Sequence, residues 1–149
     1  MSNEMTITDS ITIDASPSRI WDTLVEPSLT RKYMFDCEAL SDWTPGSRLE
    51  WKGATDGKVY VTGRIVEIKK GKMLRYTVFD PNGGVRDVPE NYLIVTYLLS
   101  DENGKTVLEV SQGDFSKVEN GQKRYEETVN GWGMVLQKIK EIAEARRDS

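Results

Sequence analysis

Histidine is absent from the 149 residues, and cysteine occurs once, at Cys37. Ser-His-Asp and Cys-His nucleophile activation are therefore excluded, as are histidine general bases. Most zinc sites are excluded too, because a single thiolate cannot complete one. Nothing beside Cys37 in the chain lowers its pKa, so it reads as a small core residue rather than a nucleophile. Gly104-Lys105-Thr106 has the ending of a phosphate loop, but Leu99 stands where the first glycine belongs. Asn103-Gly104 reads instead as a hairpin turn. Asp101 and Asn103 lack the remaining ligands of a calcium loop, and no Gly-x-Ser-x-Gly elbow occurs. The expectation is a protein that works with no metal, nucleotide or other cofactor.

Carboxylates, tyrosines and one glutamine remain. A cyclase-like or hydrolase-like pocket would need an inward Glu or Asp as general base. Glu50, Glu109 and Asp114 are the possibilities, and strand parity or loop position puts each on the surface. Tyr76 and Tyr97 fall on inward faces, either as core aromatics or as hydrogen-bond donors to a bound molecule. Trp51 shares that inward parity. Gln112 aligns with Leu108 and Val110, and an inward glutamine wants a partner. Trp132 stands between Gly131 and Gly133, and each glycine costs a helix interior about 1 kcal/mol relative to alanine. Two of them beside so large a ring imply either a neighbour in close approach or room for a ligand. They lie about 200° apart around a helix at about 100° per residue. Gly131 falls on the side of Val135 and Ile142. The expectation is therefore a packing neighbour there, with Gly131→Ala destabilising and Gly133→Ala neutral or better.

The element that must hold Trp132 is the stretch Gly121 to Arg147. Tyr125, Val129, Trp132, Leu136, Ile139 and Ala143 form one stripe at helical spacing, widened by Val135 and Ile142. This predicts one amphipathic helix of roughly twenty or more residues, about 30 Å long. Arg146 and Arg147 at its end suit the helix dipole, whereas Lys123 and Arg124 at its start do not. Upstream, Thr6 to Ile13 alternates as a strand. Ser16 and Pro17 open a short helix carrying Ile20, Trp21, Leu24 and Val25, which Glu26-Pro27 stops. Ser28 to Met34 is a second short helix.

From Phe35 the pattern is strand after strand: Phe35 to Leu40, Arg48 to Lys52, Lys58 to Ile68, Met73 to Phe79, Asn91 to Ser100 and Thr106 to Gln112. Register is lost near Val66-Glu67-Ile68, which predicts a bulge. Asp80 to Glu90 is a loop, and Gly113 to Asn120 is a polar connection. Consecutive strands with short turns imply an antiparallel meander.

A chain of this length, 38% hydrophobic and 30% charged, predicts a single globular domain spanning residues 1–149. A net charge of −4 with dispersed basic residues gives no expectation of nucleic-acid binding. No apolar run reaches the roughly 18 residues of a membrane span, and Met1 to Asp9 has no signal-peptide core. With one cysteine and so no internal disulfide, a cytoplasmic location is expected.

Several segments in order carry a resemblance. They are Ile13-Asp14-Ala15-Ser16-Pro17-Ser18-Arg19-Ile20-Trp21, Pro45-Gly46-Ser47-Arg48-Leu49-Glu50-Trp51 and Gly63-Arg64-Ile65-Val66-Glu67-Ile68. Val95-Thr96-Tyr97-Leu98-Leu99 and Gly131-Trp132 with Leu136 and Ile139 complete the set. Over nearly the whole chain this resembles the START/Bet v 1-like helix-grip superfamily, also called SRPBCC. Within it, the chain is similar to the family related to the C-terminal domain of the activator of Hsp90 ATPase. The resemblance implies an α+β helix-grip fold. Its parts would be a curved antiparallel sheet of six or seven strands, a long C-terminal helix and two short helices after the first strand. It also implies a hydrophobic pocket between sheet and helix. The expected ligand is small and largely apolar, lipid-like or aromatic. Trp51, Tyr76, Tyr97 and Trp132 would form the walls, Met34 the mouth, and Gln112 would orient a polar atom. The alternatives are a chaperone-associated interaction protein, similar to Hsp90 activators, and a cyclase- or hydrolase-type enzyme using the same pocket.

Overall fold

The structure, a computed structural model, describes residues 5–145. The N-terminal strand β1 is Ile7–Ile13. Helix α1, Pro17–Val25, starts where Ser16 accepts a hydrogen bond from the Arg19 amide and Pro17 takes the first turn. Helix α2, Pro27–Tyr33, begins at the proline that ends α1. Six strands follow: β2 Cys37–Ser41, β3 Arg48–Gly53, β4 Val59–Lys69, β5 Met73–Val78, β6 Leu93–Glu102 and β7 Lys105–Gly113. All seven strands form one antiparallel sheet in the order β1-β7-β6-β5-β4-β3-β2. The chain lays down one edge, crosses by α1 and α2 to the other, and meanders back until β7 pairs with β1.

Local chemistry sets the turns of this meander. Asn103 and Gly104 have φ of 53° and 86°, the two left-handed residues that a tight β6–β7 hairpin requires. The expected loss of register in β4 is present as a shift between Ile65 and Glu67 opposite β5. A second shift, between Trp51 and Lys52, was not legible in the sequence pattern. Gly63 is required for another reason: the Thr77 carbonyl comes so near that no Cβ fits there. These features curve the sheet around the C-terminal helix.

That helix is not continuous. Helix α3 runs Gly121–Thr128 and α4 runs Gly131–Ala145, separated at Val129-Asn130. Thr128, Val129, Asn130 and Gly131 are consecutive poor helix formers. The Thr128 hydroxyl also donates to the Arg124 carbonyl at 2.7 Å, a local bond that competes with the helical ladder. Arg146 and Arg147, expected at the helix end, lie outside the described residues. The connection from Gly113 to Asn120 is less polar than expected. Phe115, in a single turn of 3₁₀ helix, is fully buried with its ring 5.6 Å from that of Tyr125.

The stripe of α4 buries Trp132, Val135, Leu136, Ile139 and Ala143. They join a core of Ile13, Ile20, Leu24, Leu49, Ile65, Leu74, Leu93, Leu108 and Val110. Each such aliphatic side chain contributes about 1.5–3 kcal/mol by leaving water. Among the described residues no helix is long and apolar enough to cross a membrane.

Candidate functional site

Side chains do not fill all the space between sheet and helix. A cavity of about 620 Å³ remains between β3, β5, the start of α4 and the turn after α2. That volume lies within the roughly 300–1,000 Å³ typical of small-molecule sites. Its inner walls are Trp51 from β3, Tyr76 and Val78 from β5, Val95 from β6, and Trp132 and Val135 from α4. Strand alternation places these strand residues inward, and the helical stripe does the same for Trp132 and Val135.

The aromatic rings form a continuous series. Tyr33 and Trp51 have centroids 6.5 Å apart, Trp51 and Tyr76 6.2 Å, Tyr76 and Tyr97 6.3 Å, and Tyr97 and Trp132 5.9 Å. Tyr97 differs from the expectation because it does not line the cavity. It faces inward from β6, but the rings of Tyr76 and Trp132 cover it, so it backs the wall. Met34, just after α2, lines the same cavity.

Gln112 lines the cavity and is only 8% exposed. Its Oε1 accepts a hydrogen bond from Trp132 Nε1 at 2.9 Å, which fixes both side chains. The amide nitrogen makes no hydrogen bond among the described residues. Tyr76, also buried, lines the cavity, and its hydroxyl interacts with that of Tyr97. The neighbouring Tyr97 hydroxyl is buried without a well-aligned partner. Burial pushes both phenols well above the ordinary tyrosine range. The same cause, reinforced by Tyr76, raises Tyr33, whose hydroxyl donates to the Leu24 carbonyl at 2.9 Å.

The mouth contains residues that sequence reasoning missed. Phe35 is 66% exposed and lines the opening. Phe35 and Asp36 have φ of 51° and 64°, a left-handed pair that costs a phenylalanine more than an aspartate. Asp36, Asp56 and Glu127 all line the opening, and no lysine or arginine does. Asp36 and Asp56 meet because β2 and β3 pair with Cys37 opposite Gly53. The Ala54 amide donates to the Asp36 carbonyl, and the Thr55 hydroxyl to its carboxylate, both at 2.8 Å. Asp56 accepts from the Tyr60 hydroxyl at 2.5 Å, and that bond holds its carboxyl below the usual range. Glu127 arrives from α3, far along the chain. Only the strand pairing was a usable signal in the sequence. Glu50, Glu109 and Asp114, the carboxylates weighed from the sequence, do not line this cavity. Cys37 does line it, and burial, with Asp36 and Asp56 adding, pushes its thiol up and away from nucleophilic use.

Gly131 corrects another expectation. A Cβ there meets nothing within 4 Å, and the residue borders the cavity, so no neighbour presses on it. A Cβ at Gly133 would make ordinary contact with Asp9 Oδ2 at 3.7 Å. Gly131, the first residue of α4, thus borders the unfilled space.

Known proteins with this architecture give the family. Residues 14–144 match the family described as Activator of Hsp90 ATPase homolog 1-like protein. The solution structure of ChR145 from Cytophaga hutchinsonii is 31% identical, covers 98% of each chain and superposes with a TM-score of 0.76. Protein MLL2253 from Mesorhizobium loti shares the fold at 20% identity, with TM-score 0.77 over 97% of this chain and 99% of its own. A structure described as the Aha1 dimer from Colwellia psychrerythraea shares it at 14% identity, with TM-score 0.72 over 96% and 98%. Among curated proteins none matches. The chain belongs to the Activator of Hsp90 ATPase homolog 1-like family, with the helix-grip fold of the START/Bet v 1 type.

Proposed function

We propose that this protein binds a small, largely apolar molecule in the cavity between sheet and helix. One observation carries the reading: about 620 Å³ stays open beside Trp51, Tyr76 and Trp132, with Gly131 adding no side chain to fill it. Met34 borders the entrance, Tyr97 stiffens the wall from behind, and Gln112 presents its amide nitrogen to a polar atom of the ligand. Apolar walls with a few convergent polar groups are the usual composition of such sites. The reading is one of binding, and burial pushes the one thiol in the wall up, away from nucleophilic use. The single cysteine suits a reducing compartment, the cytoplasm.

The test fills the cavity from the helix side. In Gly131→Leu the new side chain grows into space where the first carbon meets no atom. Naphthalene-based probes should bind the parent protein at micromolar concentration and quench its tryptophan emission. The variant should fold with a similar melting temperature and lose at least about tenfold in affinity, about 1.4 kcal/mol. Unchanged binding by Gly131→Leu would remove the cavity from consideration as the binding site.

A second reading, association with a chaperone, has support from the family's description and the Colwellia protein described as Aha1. Val66, Ile94 and Leu98 are large apolar side chains exposed on the sheet. Co-purification of Hsp90 with the tagged protein from lysate, lost on Ile94→Asp with Leu98→Asp, is the result that this reading expects.

A further inference from the structure

Resting on the reading of the cavity as a binding site, we infer that its ligand is an organic cation: an aromatic or polycyclic body carrying a protonated amine. The charge distribution around the opening is the first ground. Asp36, Asp56 and Glu127 line it, drawn from the α2–β2 turn, the β3–β4 turn and α3. The nearby bases stand outside the lining. Arg31 pairs with Asp36 at 3.2 Å, and Lys58 Nζ lies 5.3 Å from the centroid of the Tyr60 ring, beside Asp56. Glu127, exposed on α3, has no hydrogen bond or ion pair among the described residues. An anionic ligand would pass three carboxylates to enter and find no basic side chain in the lining.

The second ground lies in the walls and is independent of the acids. Trp51, Tyr76 and Trp132 line the cavity, and aromatic rings attract a cation placed over their faces. The Tyr76 hydroxyl lines the cavity, and its one hydrogen-bonding neighbour among the described residues is the buried Tyr97 hydroxyl. A buried donor left without an acceptor is expensive, and a ligand oxygen that pairs with it removes that cost. The Gln112 amide nitrogen has the same need. The inner end therefore suits a carbonyl or hydroxyl oxygen on the ring body, and the outer end suits the ammonium. Fatty acids, phosphates and sulfonates are disfavoured.

Three probes with one ring system separate the possibilities: 2-naphthylmethylamine, 2-naphthalenemethanol and 2-naphthoate, titrated by tryptophan quenching at low salt. The amine should bind tightest, the alcohol next and the carboxylate least, with about tenfold between the ends of the series for charges some 4–6 Å apart near a protein surface. Raising the salt should compress the series, because the acids are at the surface. Glu127→Gln together with Asp56→Asn should narrow the ratio of amine to alcohol about threefold or more. A carboxylate that binds as well as the amine overturns the inference while leaving the cavity as a binding site. An amine preference unmoved by the double variant overturns it equally. If none of the three binds, the reading of the cavity as a binding site falls and this inference falls with it.

Discussion

At one end of the space between sheet and helix, Ile13, Ile20, Leu24, Leu108, Leu136, Ile139 and Ala143 are all buried, most of them completely. At the other, Trp51, Tyr76 and Trp132 stand around a cavity that they do not fill. The same sheet and the same helix bound both ends. Branched aliphatic side chains pack densely at the first end, whereas at the second the rings meet at tilted or edge-to-face angles beside open volume. Tight packing belongs to the first group and open volume to the second.

Alkali should separate the two ends most strongly. Tyr33, Tyr76 and Tyr97 belong to the open end, and the packed end has no titrating counterpart in its core. In the unfolded chain a phenol loses its proton near pH 10, whereas in the fold these three keep theirs to higher pH. Their contribution to stability is therefore fully present below about pH 10 and is lost as pH rises beyond it. Each phenol adds a slope of up to about 1.4 kcal/mol per pH unit, so three together reach about 4. Denaturant melts at stepped pH, followed by tyrosinate absorbance, measure this. Tyr97→Phe should remove one third of the slope and cost little at neutral pH, because its hydroxyl makes no well-aligned hydrogen bond. A slope unchanged by that variant would break the assignment.

Truncation should show the next largest contrast. Leu136→Ala at the packed end should cost about 2–5 kcal/mol in chemical denaturation, the usual range for a buried leucine. Val61→Ala borders existing empty space, so it should cost less, about 1 kcal/mol or below. Equal costs would mean that the cavity end is as tightly packed as the other.

The smallest effects belong to the two glycines. Gly133→Ala, inside α4 with only ordinary contact to Asp9, should stabilise by about 0.5–1 kcal/mol. Gly131→Ala, at the first residue of α4 and facing open space, should change the melt by no more than about 0.5 kcal/mol.

Much of the framework could be read from local signals. Ser16-Pro17 and Asn103-Gly104 set their own geometry, and the β4 bulge follows from the break in alternation at Val66. Parity placed Trp51, Tyr76 and Gln112 on the cavity side. Tyr97 shares that parity yet lies behind the wall, because parity gives the face of a strand and not what covers it. The acidic mouth was illegible for a different reason. Asp36, Asp56 and Glu127 belong to three segments that only the completed sheet and helix bring together. The glycine beside Trp132 has two physical meanings, contact or vacancy, and the sequence contains no measure of distance to choose between them.

The interruption at Val129-Asn130 divides the C-terminal helix by anchorage as well as by hydrogen bonding. Helix α4 is held by a stripe of five buried side chains, whereas α3 buries only Gly121 outright and rests on Phe115 through the partly buried Tyr125. Amide protons in α3 should therefore exchange with solvent through a local opening, and those in the middle of α4 only as the core unfolds, which hydrogen exchange measures. If the cavity takes a guest as proposed, the weakly anchored α3 beside the opening is separate from the helix that keeps the chain folded.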